Sequence, residues 1–166
     1  MTRPPDFEET MREHEHALYR VVRSYAPPGA EREDLAQEVA LAVFRALPMF
    51  RGDSSVKTFL LRVAHLRGVS YLAKRRAARG RAALEIDLEG LADPGAPADM
   101  RASSREDLER LFAAIRRLPI PSRQVLAFAL EGLSHAEIAG AVGTSVENVA
   151  VRLSRARSTL RKELES

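Results

Sequence analysis

"LSHAEIAGAVGTSVENVAVRLSRAR", residues 133–157, carries the punctuation of two helices set end to end. Ser134 can cap a helix, Glu137 three residues on completes a capping box, and Leu133 is placed to staple against Ile138. The spacing predicts that Ile138, Ala139 and Val142 turn inward, and Gly143 stands where a left-handed residue would end that helix. A second helix is expected to start at once, with Thr144 and Glu147 as a second capping box. Its inward stripe is Val149, Leu153, Ala156 and Leu160, at steps of 4, 3 and 4.

Two helices joined by a three-residue turn containing glycine form a helix-turn-helix, whose second helix enters the major groove of DNA. Asn148, Arg152 and Arg155 fall on one outward stripe, with Val151 beside them. Asn can pair with adenine, Arg with guanine or phosphate, and Val can pack on a thymine methyl. Arg157, Arg161 and Lys162 extend the positive face toward the phosphate backbone. A plain helical hairpin with a solvated basic face is the alternative; the turn, the caps and the stripe together count against it.

Around this unit the chain has 166 residues, room for one ordinary domain or two small ones with thin cores. Apolar residues recur at helical spacing and no alternating run is bounded by a hairpin turn. The expected fold is all-α: two small helical domains, 1–80 and 104–166, joined by a flexible acidic linker, 81–103. Helices are expected near 6–26, closed by Pro27-Pro28-Gly29, near 31–47, closed by Pro48, and over 54–77. In the second domain they are expected near 104–118 and 121–131, followed by the pair already described. Between the two sets, "ALEIDLEGLADPGAPADMRASS" turns acidic and is broken by Pro94, Gly95 and Pro97.

The chain has no cysteine, so disulfides and thiolate metal sites are excluded, and its 4 histidines are too scattered to suggest a metal site. No metal or cofactor is expected. No apolar run of about 18 residues is present to span a membrane, and the first residues lack the apolar core of a signal peptide. A cytoplasmic protein without membrane insertion is the expectation. Net charge is only +3, but five of the eight residues from Lys74 to Arg81 are basic, five acids and no base lie between Ala82 and Asp99, and five bases and no acid lie between Val149 and Lys162. Two basic patches flanking an acidic segment suit a polyanion gripped at two places; solvated helix faces are the plainer reading of any one cluster.

In "REDLAQEVALAVFRALPMF", residues 32–50, the face Leu35, Val39, Ala42, Val43, Ala46 and Leu47 points inward. Opposite it lie Asp34, Gln37, Glu38, Leu41 and Arg45. A leucine ringed by acid, amide and arginine has the pattern of a protein-docking stripe, although spacing alone favours an ordinary surface helix with one stray leucine. The segment after it joins a polar loop to a long basic helix, which Asp53, Ser54 or Ser55 can cap. Phe59, Leu60, Val63, Val69 and Leu72 are expected to pack inward. Lys57, Arg62, Arg67, Lys74, Arg75 and Arg76 are left for phosphates. With 6 Phe, 3 Tyr and no Trp, an extensive base-stacking platform is unsupported, but a pocket for one or two flipped bases at the loop is not.

Two blocks in this order resemble a bacterial RNA polymerase sigma factor of the extracytoplasmic-function class of the sigma-70 family. "EDLAQEVALAVFRALPMFRGDSSVKTFLLRVAHL" is similar to that family's region 2, with its D-L-x-Q-E helix, loop and T-W-L-x-R-I-A helix. "LFAAIRRLPIPSRQVLAFALEGLSHAEIAGAVGTSVENVAVRLSRARSTLRKEL" is similar to its region 4. The resemblance implies a non-enzymatic promoter-specificity subunit that recruits core polymerase and opens promoters. Asp34, Gln37, Glu38, Leu41 and Arg45 then match the helix that docks on the β′ clamp helices. Arg51, Asp53, Ser54, Ser55, Lys57, Thr58, Arg62 and His65 fall in the loop and helix that capture and melt the −10 element. Glu147, Asn148, Val151, Arg152, Ser154 and Arg155 fall in the reader of the −35 element. The β flap, promoter DNA and an anti-sigma factor complete the implied partners.

The sequence departs from the family pattern at Phe59, where Trp is usual, at His65-Leu66 for Arg-Asn, and at Ser70 for Asp. Ala150 and Val151 stand where Lys or Arg and Ser are usual, which predicts an unusual −35 element. A stand-alone helix-turn-helix regulator is the rival reading; it gives the Asp34 to Arg45 stripe no task. A nucleic-acid enzyme is a second rival, but neither Glu137 nor Asp53 has a companion carboxylate at suitable spacing.

Overall fold

The computed structural model describes residues 3–82 and 104–166, and the regular structure within them is helical. Most of the segment expected as a linker lies outside the described residues. The first lobe consists of α1 (Phe7–Arg23), α2 (Ala30–Ala46), a 3-10 turn at Leu47–Met49 and α3 (Val56–Ala82).

Asp6 caps α1 through its carboxylate, which accepts from the Glu9 amide at 3.0 Å, and Glu8 and Glu9 face the positive end of the helix dipole. This helix stops at Arg23, earlier than its periodicity predicts. The Ser24 hydroxyl donates to the Val21 carbonyl at 2.6 Å and the chain folds into a turn that carries Tyr25 and Ala26 into the core. Gly29, at φ 116°, supplies the backbone that opens α2. Pro48 closes α2 inside the 3-10 turn. Of the three candidate caps for α3, Ser55 acts: its Oγ accepts from the Thr58 amide at 3.1 Å and donates to Thr58 Oγ1 at 2.9 Å. Leu60, Leu61, Ala64 and His65 form the buried face of α3, while Phe59, Val63, Val69 and Leu72 are half-buried beside them. At Gly68 the backbone of α3 receives the Tyr25 ring so closely that an added β-carbon would overlap it.

The second lobe consists of α4 (Ser104–Arg117), α5 (Ile120–Leu130), α6 (His135–Val142) and α7 (Val146–Glu165). Leu118-Pro119 separates α4 from α5. Arg123 ties the joint, since its Nη2 donates to the Leu118 carbonyl at 2.9 Å and also to that of Arg116. The capping box on α6 forms as expected, with Glu137 N donating to Ser134 Oγ at 3.1 Å and Ser134 N to Glu137 Oε2 at 2.7 Å. Gly143 adopts the left-handed conformation, φ 71° and ψ 43°.

The second capping box does not form. The Thr144 amide is used to close α6, donating to the Ala139 carbonyl at 3.1 Å, so the chain is still turning at that residue. Ser145 is the first extended residue, and its Oγ accepts from the Asn148 amide at 3.1 Å as the cap of α7. Val149, Leu153, Ala156 and Leu160 are buried, as their spacing predicts.

Two thin, separate cores were the expectation; the buried side chains form one cluster that runs through both lobes. Val21 of α1 and Ser24 just after it adjoin Phe112, Ile115 and Ala127 of α4 and α5. His65 of α3 stands edge-on to Phe128 of α5, ring centres 6.0 Å apart. Arg123 lies over the Tyr25 ring at 5.3 Å and Arg23 over that of Phe112 at 4.5 Å. Such contacts unite apolar stems with desolvated cations, a form of burial that arginine tolerates better than lysine.

Candidate nucleic-acid and polymerase interface

Three surfaces carry the residues singled out by sequence. On α7, the buried stripe fixes the rotation of the helix about its axis, so the opposite face is fixed too. Glu147, Asn148, Val151, Ser154 and Arg155 are exposed there and Arg152 is half-exposed. Asn148 Nδ2 donates to Thr144 Oγ1 at 3.3 Å, which aims the amide along the helix start. The arrangement presents one amide, one methyl pair and two guanidiniums on a helix of the diameter a major groove admits.

On α2, burial of Leu35, Val39 and Val43 turns Asp34, Gln37, Glu38, Leu41 and Arg45 to solvent together. Phe44 joins them, 57% exposed and packed edge-on against Phe7 at 5.2 Å. The sequence reading missed Phe44; its position next to Leu41 and outside the buried repeat is the signal that marks it. The exposed patch thus has an apolar centre of two residues within a charged rim, the pattern of a binding hot spot.

The third surface is the loop from Phe50 to Ser55. Gly52, at φ 81°, makes its turn, and Phe50 packs on Phe59 with ring centres 5.2 Å apart. A cavity of about 550 Å³ opens there, lined by Phe50, Arg51, Asp53, Ser54, Ser55, Thr58 and Arg62 and, from the far side, by Ala136, Glu137, Gly140 and Ala141 of α6. Its size and its mix of aromatic and cationic walls suit an extruded base with its phosphate.

Two residues expected at this site, His65 and Lys57, are placed otherwise, and a third, Thr58, lines the cavity but is largely buried. His65 is buried, not presented to solvent: it is hydrogen-bonded through Nδ1 to the Tyr25 hydroxyl and covered by Phe128. Burial first, and then the Arg123 charge, lower its pKa to about 4, so it is neutral at ordinary pH and brings no cation to a phosphate. Thr58 is buried in the cap of α3. Lys57 is taken by the second lobe, its Nζ donating to the Glu131 carbonyl at 2.7 Å. Of the other cations set aside for phosphates, Arg75 is 3.6 Å from Glu31 and Lys74 is 3.9 Å from Glu38.

Between the lobes lies a set of ion pairs that the sequence reading did not find. Glu109 of α4 accepts from Arg32 at 2.7 and 3.1 Å, from Arg23 at 2.9 Å and from Arg116 at 3.3 Å. The Arg32 hydrogen bond above all, helped by those from Arg23, holds its carboxyl at about 2 against the opposing effect of burial. Glu131, buried at the end of α5, takes Arg20 in a two-pronged bond of 2.5 and 2.9 Å. Arg20 stands 111 residues from Glu131 in sequence, and Arg23 stands 86 and Arg32 77 from Glu109, distances at which no local pattern signals a pairing.

The family description "Sigma-70 region 2" matches residues 10–78 and "Sigma-70, region 4" matches residues 108–160. RNA polymerase sigma factor NccH of Alcaligenes xylosoxydans xylosoxydans is 30% identical over 165 residues, 96% of this chain and 87% of that protein. The ECF RNA polymerase sigma-E factor of Escherichia coli (strain K12) is 32% identical over 156 residues, 89% and 80% of the two chains. Among solved structures, CnrH in complex with the cytosolic domain of CnrY aligns with a TM-score of 0.66 at 25% identity, covering 96% of this chain and 87% of that one. The sigma factor RpoE in complex with the anti-sigma factor NepR, from Bartonella quintana, shares the fold at a TM-score of 0.74 and 22% identity, covering 96% and 97%.

Proposed function

Because the chain belongs to the extracytoplasmic-function class of the sigma-70 family, a non-enzymatic RNA polymerase sigma factor that directs promoter-specific transcription initiation, we propose how its surfaces divide that work. The first lobe, residues 1–80, docks on the β′ clamp helices through Asp34, Gln37, Glu38, Leu41 and Arg45, with Phe44 adding apolar contact. Its loop, with Arg51, Asp53, Ser54 and Arg62, receives an unpaired base of the −10 element. The second lobe, residues 104–166, reads the −35 element through Asn148, Val151, Arg152 and Arg155, flanked by Glu147 and Ser154, and rests on the β flap. Residues 81–103 join them.

One observation carries this division: burial fixes α2 and α7 in rotation so that each presents as a single exposed face the residues its role requires. The described helices include none long and apolar enough to cross a membrane, and we place the chain in the cytoplasm, where its polymerase works. The complexes of CnrH and RpoE with CnrY and NepR support a protein regulator of the anti-sigma kind for this chain as well. Purified chain mixed with core polymerase should co-elute with it and yield run-off transcripts from a cognate promoter. Absence of core binding would sink the proposal.

Two substitutions separate the surfaces. Arg152→Ala should weaken promoter recognition at the −35 position by about 1–3 kcal/mol, the size of a bidentate base contact, and relax preference at one base pair; an unchanged preference in a promoter-variant transcription assay removes Arg152 from base reading. Gln37→Ala combined with Arg45→Ala should reduce competition for core polymerase by about tenfold, since the loss of two rim hydrogen bonds of about 0.7 kcal/mol each amounts to about 1.4 kcal/mol. Normal competition by that double variant would count against the docking face.

A further inference from the structure

Val151 is 46% exposed and stands apart from the apolar residues that pack against the core. Its direction follows from the buried residues of α7. Val149, Leu153, Ala156 and Leu160 line one side of the helix, and at about 100° per residue Val151 falls close to the middle of the opposite side. Glu147 one turn before it, Arg155 one turn after it and Ser154 share that side and are exposed with it. Val146 is exposed as well, but it lies three residues before Val149 and seven before Leu153, on the core side of the helix. We propose that Val151 reads a methyl group: the −35 element presents to it the C5-methyl of a pyrimidine in the major groove, and this contact sets the preference at one base pair.

This rests on α7 as the reader of the −35 element and adds which chemical group lies under the centre of its outer face. The charges of the helix put that centre over base edges. From Val146 to Val151 α7 carries no cation, and Glu147 is an anion; such a stretch laid along phosphates would be repelled. The guanidiniums begin at Arg152. The first turn and a half of α7 therefore faces the floor of the groove, where the leading residues of a recognition helix meet bases. Phosphates are left to the cations that follow.

On that floor an isopropyl group has one kind of partner. Amines and carbonyls of base edges beneath Val151 would lose water and gain no hydrogen bond, whereas the C5-methyl is the apolar group that the major groove displays. Thymine carries it, and 5-methylcytosine carries the same group; the two differ at the 4-position, where valine has nothing to donate or accept. Glu147, an acceptor one turn away, suits the N4 amine of a cytosine beside the methylated base. A branched side chain is also a poor choice for an exposed helical position unless something packs on it. Burying one methyl group changes binding by about fourfold.

The test uses holoenzyme assembled from the whole chain and core polymerase, on the promoter it transcribes. Each thymine of the −35 element, on either strand, is replaced in turn by uracil, and each cytosine by 5-methylcytosine. Removal of the methyl from one thymine, or its addition to one cytosine, should change competition for holoenzyme by about fourfold, the methylated form binding more tightly. At that position 5-methylcytosine should also outcompete cytosine by the same factor, each paired with guanine. Val151→Ser, at an exposed position where circular dichroism should show an unaltered fold, should abolish the discrimination, and Val151→Ile should retain it. A wild-type chain that is indifferent to every methyl, yet weakened by scrambling the −35 element, overturns the role of Val151 and leaves α7 as the reader. Indifference to scrambling as well overturns both. Discrimination that survives in Val151→Ser belongs to another residue and also overturns the proposal.

Discussion

Truncation of Phe128 to alanine is expected to lower the stability of the chain by about 4 kcal/mol, the typical cost of removing a fully buried phenylalanine ring. Phe128 has no exposed surface, sits in the last turn of α5 and supports the His65 ring of the other lobe. The cavity it leaves lies where α3 and α5 meet. In urea denaturation followed by circular dichroism, the midpoint should fall in one transition, because the buried cluster is continuous. Two transitions, with the earlier lobe alone displaced, would show that the lobes unfold independently.

The second large effect is acid sensitivity. His65 is neutral in the folded chain down to about 4, while the unfolded chain takes up that proton near 6.5. Between these values the unfolded state binds more protons, so stability falls as pH falls through the window. Full traversal amounts to about 3 kcal/mol at ~1.4 kcal/mol per unit. Glu109, held at about 2, acts in the same direction below the ordinary carboxylate value: its contribution is complete above 4.5 and is lost as pH falls toward 2. Urea midpoints at pH 7.5, 5.5 and 4.5 should decline steadily. His65→Gln, which keeps a polar partner for Tyr25 but cannot titrate, should flatten the decline above pH 4.5; an equal slope in both proteins would mean that another group carries it.

What the sequence makes legible follows from the range of the interactions. The capping box at Ser134, the left-handed Gly143 and the stripe of α7 are all set by neighbours three or four residues apart, and each is present in the structure. The same local reasoning placed the cap of α7 one residue early, at Thr144, because it did not account for the amide that closes α6. His65 reads locally as a polar residue on a basic helix, and only Tyr25 and Phe128, brought to it by the tertiary fold, make it a core residue. The ion pairs of Glu109 and Glu131 were illegible for the same reason: a glutamate in a charged helix and a glutamate before a glycine look like ordinary solvent positions. The docking face on α2 needed the family resemblance to gain a partner, since exposure at helical spacing says only that a surface is open.

The joint core has a consequence for how such a protein can change over generations. A chain whose halves met only through a tether could exchange one half for that of a relative and keep both. Here Phe128 is shaped to His65, and Glu109 to Arg23 and Arg32, so a substitution on either side selects for an answering one on the other. A hybrid joining this first half to a relative's second half should retain each half's helices and yet lose stability at the seam, with a lower urea midpoint than either parent. Matched pairs across the seam, more than the residues that touch DNA, would then decide which halves can be combined.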